Sequence, residues 1–460
     1  MATRKKGART RRSTATVAAA KRSARKTAKP AVKKKTKPAA KKSAAAKGAS
    51  GKHATIRMYN VGFGDAFLVT VPNGTTQRRI LFDCGSIEAA PGITMKGIVE
   101  RIVQDVTDAD GVARIDVVVA THRHKDHVSG FGNAAWDDVE VGEVWMPWTE
   151  HPTDAEARRI RNIQSGLALG LTTTLTARAA ALGAAEKKEL RRYQDIVANA
   201  LMLANDKAMK TLHSGFAGNP ERRFLPEKPE PGKPGHHRTF STTALPGVKV
   251  HVLGPSRSRD IIRDMDPPKG ESFLRLHGAL KSPSGMPPPP FPSEPRHDQN
   301  PGTGSMLQDD LDAIQRAGSL SDLAVAVALD KAVNGTSLML VLEIAGSYLL
   351  FPGDAQWGTW LAAMADPEWR DILSRVSFYK IGHHGSHNAT PRKFVDEMMP
   401  EHICAMASTL TRDIWPDIPR LPLLTQLANK HVDVARSDRQ SKAGGPFRVD
   451  QGVVEARIPL

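Results

Sequence analysis

The sequence alternates between short apolar runs and longer segments in which apolar residues recur every three or four positions. The first pattern is typical of β-strands and the second of amphipathic helices. The β-branched run at 115–120 also indicates a strand that is buried on both faces. Together the patterns predict strands at 55–59, 66–71, 79–82, 115–120, 248–253, 323–329, 337–344, 347–351, 376–381 and 403–407, and helices at 97–106, 357–364 and 391–398.

The order of these elements mixes hairpins with crossovers. Asn73-Gly74, between two predicted strands, is a hairpin signal. Such a mixture predicts an α/β class protein, built as a layered sandwich rather than as a doubly wound parallel sheet. Residues 153–214 carry the helical pattern and residues 281–304 are rich in proline, so we place an insertion at about 153–305.

The positive charge of the chain is concentrated at its N-terminus. Residues 1–52 hold 19 lysine and arginine side chains and no acidic one. Subtracting these 19 charges from the formal net charge of +17 leaves −2 on residues 53–460. A segment with so little to bury is predicted to be disordered when free. We therefore divide the chain into a disordered basic tail at 1–52, a folded domain at 53–410 and a C-terminal extension at 411–460.

The tail is similar in composition to the tails of linker-histone proteins. Lysine runs of this kind neutralise phosphates without reading sequence, so nucleic acid is the predicted partner. The alternatives are a solubility tail, an arm for any polyanion or a targeting peptide. The residues predicted to contact nucleic acid are Lys33, Lys34, Lys35, Lys41 and Lys42.

Several classes of protein are excluded by composition. Cys84 and Cys404 are the only cysteines, too few for a disulfide scaffold of 460 residues, and they suit a reducing compartment. No apolar run is long enough for a membrane helix, and the N-terminus has no apolar core of a signal peptide. We therefore expect a cytoplasmic protein, able to associate with the nucleoid, that does not enter a membrane. Protein partners are not predicted.

Ionisable residues are densest directly after the buried strand at 115–120. His122 and His124 stand two residues apart, so they project from the same side of an extended chain. Asp126 and His127 follow where the chain turns. Neutral imidazole and carboxylate are ligands for zinc and other first-row ions, so the cluster predicts a metal site. The alternative is a solvated polar loop.

These residues resemble an element of a known superfamily. His122–His127 has the His-x-His-x-Asp-His pattern of the metallo-β-lactamase superfamily. Three further motifs of that superfamily are matched in order, by Leu81–Gly85, Phe351–Asp354 and Lys380–Ser386. The resemblance implies an αββα sandwich and a metal-dependent hydrolase.

One branch of the superfamily is matched more closely. Tyr59–Ala66, Asn334–Ser337 and His383–Ser386 are similar to the soluble hydrolase domain of ComEC-type competence proteins, and the resemblance covers roughly 54–407. Those proteins carry the domain beside a membrane channel. Since this chain has no such channel, it resembles a free-standing cytoplasmic relative.

The resemblance implies a metal role for each matched residue. His122 and His124 hold one ion, Asp126 and His127 hold a second, and Asp354 bridges the two. One of His383 and His384 completes the second site, with His384 preferred. Asp83 is implied to orient ligands from behind, as outer carboxylates do. Zn²⁺ is the implied cofactor, as one or two ions, with Mn²⁺ as the alternative.

The first ion lacks one ligand that the superfamily usually supplies, a histidine on an intervening strand. The candidates are His213, His251 and His277, and His251 is more readily explained as a packed strand residue. Cys84 is interpreted as a small buried hydrophobe and not as a ligand.

The implied reaction is hydrolysis by a metal-activated water, with Asp126 or Asp354 as the catalytic proton acceptor. Asp65 either caps its turn or faces the metal or the substrate. Ser386, His387 or Lys380 could contact a phosphate, although for Ser386 and His387 the preferred alternative is that they only shape the turn. The predicted substrate is a phosphodiester of DNA or RNA. The alternatives are a small ester, lactone or thioester, or a nucleic-acid-binding protein whose hydrolase fold has lost its activity.

Overall fold

A computed structural model describes residues 52–181, 205–229, 238–268, 270–273, 329, 331–412, 417–440 and 445–460. Within these residues the chain is of the α/β class, as predicted, and contains two mixed β-sheets. The strands are β1 His53–Tyr59, β2 Phe67–Asn73, β3 Thr76–Phe82, β4 Arg114–Val119, β5 Glu140–Pro147, β6 Glu221–Leu225, β7 Thr239–Phe240, β8 Val248–Gly254, β9 Met339–Ile344, β10 Ser347–Phe351, β11 Val376–Lys380, β12 Cys404–Ala407, β13 Asp433–Arg436, β14 Phe447–Asp450 and β15 Val453–Pro459.

Eight strands form the first sheet, in the order β14-β15-β1-β2-β3-β4-β5-β6. Its β1, β2 and β3 are antiparallel, whereas β3 to β6 run parallel. The second sheet has the order β13-β12-β11-β10-β9-β8-β7, and β10 to β13 run parallel within it. Parallel strands end at the same side of their sheet. The residues that follow β3 to β6 therefore lie close together, as do those that follow β10 to β13.

Helices cover the outer face of each sheet. The helix α1 begins after Thr94, whose hydroxyl accepts a hydrogen bond from the Gly97 amide and caps the first turn. The described helices are α1 Met95–Val106, α2 Lys125–Val128, α3 Ala155–Ala181, α4 Asp206–Ser214, α5 Arg259–Arg263, α6 Trp357–Ala365, α7 Pro367–Leu373 and α8 Leu421–Asn429.

Three apolar clusters hold these layers together. Inward-facing residues of both sheets form the central cluster, in which the Phe82 and Phe351 rings stack with centroids 4.0 Å apart. A second cluster lies between the first sheet and the helices α1 and α4. The third lies between the second sheet and α6, α7 and α8. The described chain is thus a four-layer arrangement with a sheet-on-sheet core.

Hydrogen bonds to backbone carbonyls join the two sheets at the edge where β4, β10, β11 and β12 end. The Leu338 amide, just before β9, donates to the Thr121 carbonyl just after β4, at 2.8 Å. The Ser408 hydroxyl, just after β12, donates to the Gly64 carbonyl. This edge therefore brings together the segments that follow several strand ends.

Some elements differ from the sequence-based prediction. Residues 323–328 lie outside the described residues, and Leu329, predicted to end a strand, is helical. The predicted helix at 391–398 is a π-helix from Phe394 to Met398, because the Met399 amide bonds five residues back to the Phe394 carbonyl. Residues 411–460, predicted as an extension, supply β13 to one sheet and β14 and β15 to the other.

Candidate metal centre

The carboxylate of Asp83, in the loop after β3, orients the first of the buried imidazoles. Its Oδ2 lies 2.8 Å from His127 Nδ1, and both its oxygens accept hydrogen bonds at 2.7 Å from Thr121, one from the amide and one from the hydroxyl. A carboxylate accepts only, so His127 Nδ1 carries the proton. His127 therefore presents its Nε2 to the opposite side.

The second oriented imidazole belongs to His384, in the loop after β11. Its Nδ1 lies 2.9 Å from the Ser408 carbonyl, which accepts a hydrogen bond from the Nδ1–H. Its Nε2 lies 3.0 Å from Asp126 Oδ2. His384 thus presents Nε2 to the same carboxylates that His127 faces.

Four donors from three segments converge at this point. One ligand atom from each of Asp126, His127, Asp354 and His384 lies within 4.8 Å of the others, and all four side chains are buried. His127 Nε2 is 3.3 Å from Asp354 Oδ2 and 3.7 Å from Asp126 Oδ2. We call these residues the four-donor group. The structure thereby brings together side chains that are up to 258 positions apart in the sequence.

Opposite charges shift the pKa values within the group in opposite directions. Burial alone would lower the pKa of His127, but the Asp354 and Asp126 carboxylates raise it well above the usual value. Burial alone would raise the pKa of Asp126, but the His127 and His384 imidazoles lower it. For the same reason the pKa of Asp354 is lowered, chiefly by His127. Both carboxylates are thus held ionised in a buried place, which a bound cation requires.

A second pair of imidazoles, His122 and His124, lies beside the four-donor group. His122 Nε2 and His124 Nδ1 face each other at 3.0 Å, and His122 Nδ1 lies 3.2 Å from the Thr121 hydroxyl. Burial lowers the pKa of His122 well below its usual value and that of His124 to about 4, so both stay neutral at neutral pH. Neither residue belongs to a group of potential metal donors among the described residues, so the structure brings together the donors of the predicted second ion but not those of the first.

His383 and His384 occupy different places, although they are neighbours in the sequence. Both have left-handed backbone angles, with φ of 45° and 54°. His383 Nε2 lies 3.6 Å from Asp354 Oδ2, and its side chain remains 17% exposed, whereas His384 is fully buried. Of the two, His384 belongs to the four-donor group, which agrees with the preference stated from the sequence.

The four-donor group fits a divalent ion. His127 Nε2 and Asp354 Oδ1 are buried without a hydrogen-bond partner among the described residues, which is costly unless a ligand satisfies them. Two imidazole nitrogens and two carboxylates are a donor set that zinc, manganese and other first-row ions accept. The group could therefore hold a metal ion, and its composition leaves the identity of that ion open.

Two candidate residues lie behind the group. Asp65 ion-pairs with Lys380, and its carboxylate lies 3.6 Å from Nδ1 of both His127 and His384. Two roles were considered for Asp65, capping its turn or facing the metal site. In the structure its carboxylate faces the site. The hypothesis that Lys380 contacts a phosphate is wrong in this structure, because the side chain is 3% exposed and bonded to Asp65.

The remaining histidine candidates have other partners. His251 Nε2 lies 2.8 Å from Glu343 Oε2 and the ring packs edge-on against Trp369, as expected of a packed strand residue. His213 stacks on Phe224. His277 lies outside the described residues, as do Lys33, Lys34, Lys35, Lys41 and Lys42.

Ser386 and Cys84 have structural surroundings. The Ser386 hydroxyl donates to Asn388 Oδ1 at 2.8 Å, and the Asn388 amide donates to Gln356 Oε1 at 2.9 Å. This chain of hydrogen bonds ties the loop of Asp354 to that of His384. Cys84 is fully buried in the apolar cluster beneath α1 and is in neither group of potential metal donors.

Sequence reasoning missed two supporting residues, Thr121 and Ser408. Thr121 hydrogen-bonds Asp83 and contacts His122, whereas the Ser408 carbonyl oxygen accepts a hydrogen bond from His384 Nδ1. Both directly follow a buried strand at the shared edge, β4 and β12. Their position after a strand end was the available signal.

No protein-family model and no curated protein matches the chain. No described helix is both long enough and apolar enough to cross a bilayer.

Proposed function

We propose that the chain is a metal-dependent hydrolase of the metallo-β-lactamase superfamily, built on its αββα sandwich. The observation that carries this proposal is the four-donor group. Its members come from the His-x-His-x-Asp-His, Gly-Asp and late His motifs, in the order that the resemblance implies. The four-layer arrangement of the described residues supports the same assignment.

The residues around the group have the properties that hydrolysis needs. A divalent ion bound there would supply Lewis acidity, which activates water at neutral pH and stabilises developing negative charge. Asp126 and Asp354 are ionised and buried, so each can hold the ion, and we propose one of them as the proton acceptor for the attacking water. His383 is partly exposed and lies 3.6 Å from Asp354, so it can contact a substrate that approaches the four-donor group from solvent.

We propose a phosphodiester of DNA or RNA as the substrate. The support is the basic tail, which would raise the local concentration of a polyanion without reading its sequence. The second candidate is a small ester, lactone or thioester. It is favoured by the net charge of −2 on residues 53–460, since a nearly neutral body has no charge excess of its own for a long polyanion.

The test compares hydrolysis by wild type, Asp354→Asn and the control Asp433→Asn, which changes an exposed carboxylate at the start of β13. Plasmid DNA, RNA, a small phosphodiester, and ester and lactone substrates are incubated with Zn²⁺ or Mn²⁺ at low salt, and DNA binding is followed by gel shift. We expect metal-dependent cleavage by wild type and the control, and a loss of at least about 100-fold in Asp354→Asn.

Two outcomes would contradict the proposal. Cleavage of ester or lactone substrates alone would favour the second candidate. A metal-free chain that shifts DNA in a salt-dependent manner and cleaves nothing would favour a binding protein that has lost its activity.

A further inference from the structure

Lys380 places a permanent positive charge behind the four-donor group. It is the last residue of β11 and is 3% exposed. Its ammonium ion-pairs with Asp65 and lies 3.9 Å from Asp354 Oδ1. The lysine is thus within electrostatic reach of a carboxylate of the four-donor group and of a carboxylate outside it.

A second set of potential metal donors lies on the same side as this lysine. One ligand atom from each of Asp65, Asp83 and His127 lies within 4.8 Å of the others, and all three side chains are buried. We call these residues the rear group. By donor type the rear group could also accept a divalent ion.

The contacts of the rear group show that it is already compensated. His127 Nδ1 hydrogen-bonds Asp83, so this nitrogen carries a proton and has no lone pair to offer. Asp65 has the Lys380 ammonium as its counterion. A metal ion entering here would have to displace both a proton and an ammonium group.

Charge balance divides the centre in the same way. Among the residues that the structure describes, the centre has four buried carboxylates and one buried lysine, and buried charges need compensation. The ammonium balances Asp65, and Asp83 accepts hydrogen bonds from Thr121 and His127, which leaves Asp126 and Asp354 for an ion. The four carboxylates are Asp65, Asp83, Asp126 and Asp354.

We propose that Lys380 is a built-in counterion that closes the rear group to metal and confines the ion to the four-donor group. Lys380 is therefore a positioning residue that acts through Asp65. The inference rests on the proposed metal centre, but not on the substrate or on turnover.

Lys380→Met tests the first half of this inference, because methionine is similar in length and carries no charge. Without the ammonium, Asp65 and Asp83 lack a counterion, and a divalent ion can take its place. We expect this variant to bind one more Zn²⁺ per chain than wild type.

Asp65→Asn tests the second half, because it leaves the ammonium without its partner. The ammonium then turns to Asp354, 3.9 Å away, and competes with the ion there. We expect the Zn²⁺ affinity of the four-donor group to fall about tenfold. The double variant Asp65→Asn/Lys380→Met removes both charges, and we expect it to bind the wild-type number of ions with an affinity within about threefold of wild type.

The measurement is calorimetric titration of the full-length, untagged chain with Zn²⁺, together with elemental analysis after desalting and near-ultraviolet circular dichroism to verify folding. Single variants that change zinc binding in opposite directions, with recovery in the double variant, support the inference. Equal losses in both single variants, without recovery, would mean that the pair is only a structural brace and would overturn it.

If Lys380→Met does not fold, Asp65→Asn and the double variant still test the inference. In that case Asp65→Asn must weaken zinc binding and the double variant must restore it, and failure of either result overturns the inference. Because the readout is bound zinc, a wild-type chain that binds zinc but hydrolyses nothing contradicts only the proposed function.

Discussion

Asp83 controls which nitrogen of His127 faces the four-donor group. The carboxylate accepts a hydrogen bond from the Nδ1–H, and Thr121 holds the carboxylate in place through two hydrogen bonds. Asp83 itself has φ of 55°, a left-handed conformation that Asp and Asn tolerate better than other side chains. An outer carboxylate of this kind fixes the tautomer of a metal-binding histidine.

We predict that Asp83→Asn weakens Zn²⁺ binding by about 10- to 100-fold. Asparagine preserves the backbone angle, but its amide can donate to His127 Nδ1 and so favours the proton on Nε2, the nitrogen that should bind the ion. Calorimetric titration with Zn²⁺ measures the effect, with Asp433→Asn as the matched control. Unchanged affinity in Asp83→Asn would show that the tautomer is set by another group.

We predict that Cys84 resists alkylation in the folded protein. The thiol is fully buried, and burial raises its pKa far above the usual value, so the reactive thiolate is scarce at pH 8. Burial also raises the pKa of Cys404, to about 11, so its labelling should accelerate only as pH rises towards that value. Mass spectrometry after iodoacetamide treatment, with a denatured control in which both cysteines react, measures this. Rapid labelling of native Cys84 would contradict its burial.

The local sequence pattern could predict which residues form most of the site, but not which role each residue has in it. His122, Asp126, Asp354 and the paired histidines stand out because polar residues follow buried strands. Which of His383 and His384 turns inward could not be deduced from strand alternation, since both lie in left-handed backbone conformations. Lys380 was considered as a phosphate contact because its buried partner, Asp65, is 315 positions away in the sequence and could not be recognised from it.

At the scale of elements, three loops approach closely enough to require glycine. A Cβ on Gly64 would lie 2.2 Å from the Gly85 carbonyl oxygen and 2.7 Å from that of Asp126. The neighbouring Asp65 amide donates to the same Asp126 carbonyl at 2.9 Å. The loops after β1, β3 and β4 are thus packed backbone against backbone behind the centre.

We predict that Gly64→Ala lowers both stability and zinc affinity, because the added methyl group must separate these loops. We expect a destabilisation of about 1–3 kcal/mol, as for other overpacked sites. The control is Gly166→Ala in α3, where a Cβ meets nothing within 4 Å and alanine should add about 1 kcal/mol of stability. Urea unfolding measures the stability of both variants, and calorimetric titration measures their affinity for Zn²⁺. An equal effect at the two positions would argue against close loop packing.

The strands themselves were largely predictable, whereas their pairing was not. Periodicity located β1, β4, β8, β10 and β11 to within about two residues, because their apolar runs are short and well bounded. On one side β1 pairs with β15, which lies almost 400 residues later in the sequence. The apolar residues of β15 belong to no motif that would have predicted this pairing. Long-range pairing depends on the complete sheet and not on a local signal.

At the scale of the whole molecule, charge and chemistry are separated along the chain. The tail holds 19 basic residues, whereas the rest of the chain, which includes the whole candidate centre, has a net charge of −2. Binding of a polyanion and hydrolysis should therefore respond to different changes. A variant without residues 1–52 separates the two.

We predict that deleting residues 1–52 weakens binding to double-stranded DNA at 50 mM salt by at least about tenfold and flattens the dependence of affinity on salt, because fewer counterions are released. Zinc binding should be unchanged. Fluorescence anisotropy with labelled DNA at several salt concentrations measures the binding. An unaltered salt dependence in the truncated chain would mean that the folded residues bind DNA by themselves.

The position of a bound ion tests the proposed metal centre most directly. Crystals of the zinc-loaded chain, with diffraction recorded on both sides of the zinc absorption edge, would locate it by anomalous difference density. We predict a peak enclosed by Asp126, His127, Asp354 and His384, and none within the rear group. Anomalous density confined to surface residues, or no density between these four side chains, would contradict the metal centre on which the proposed hydrolase depends.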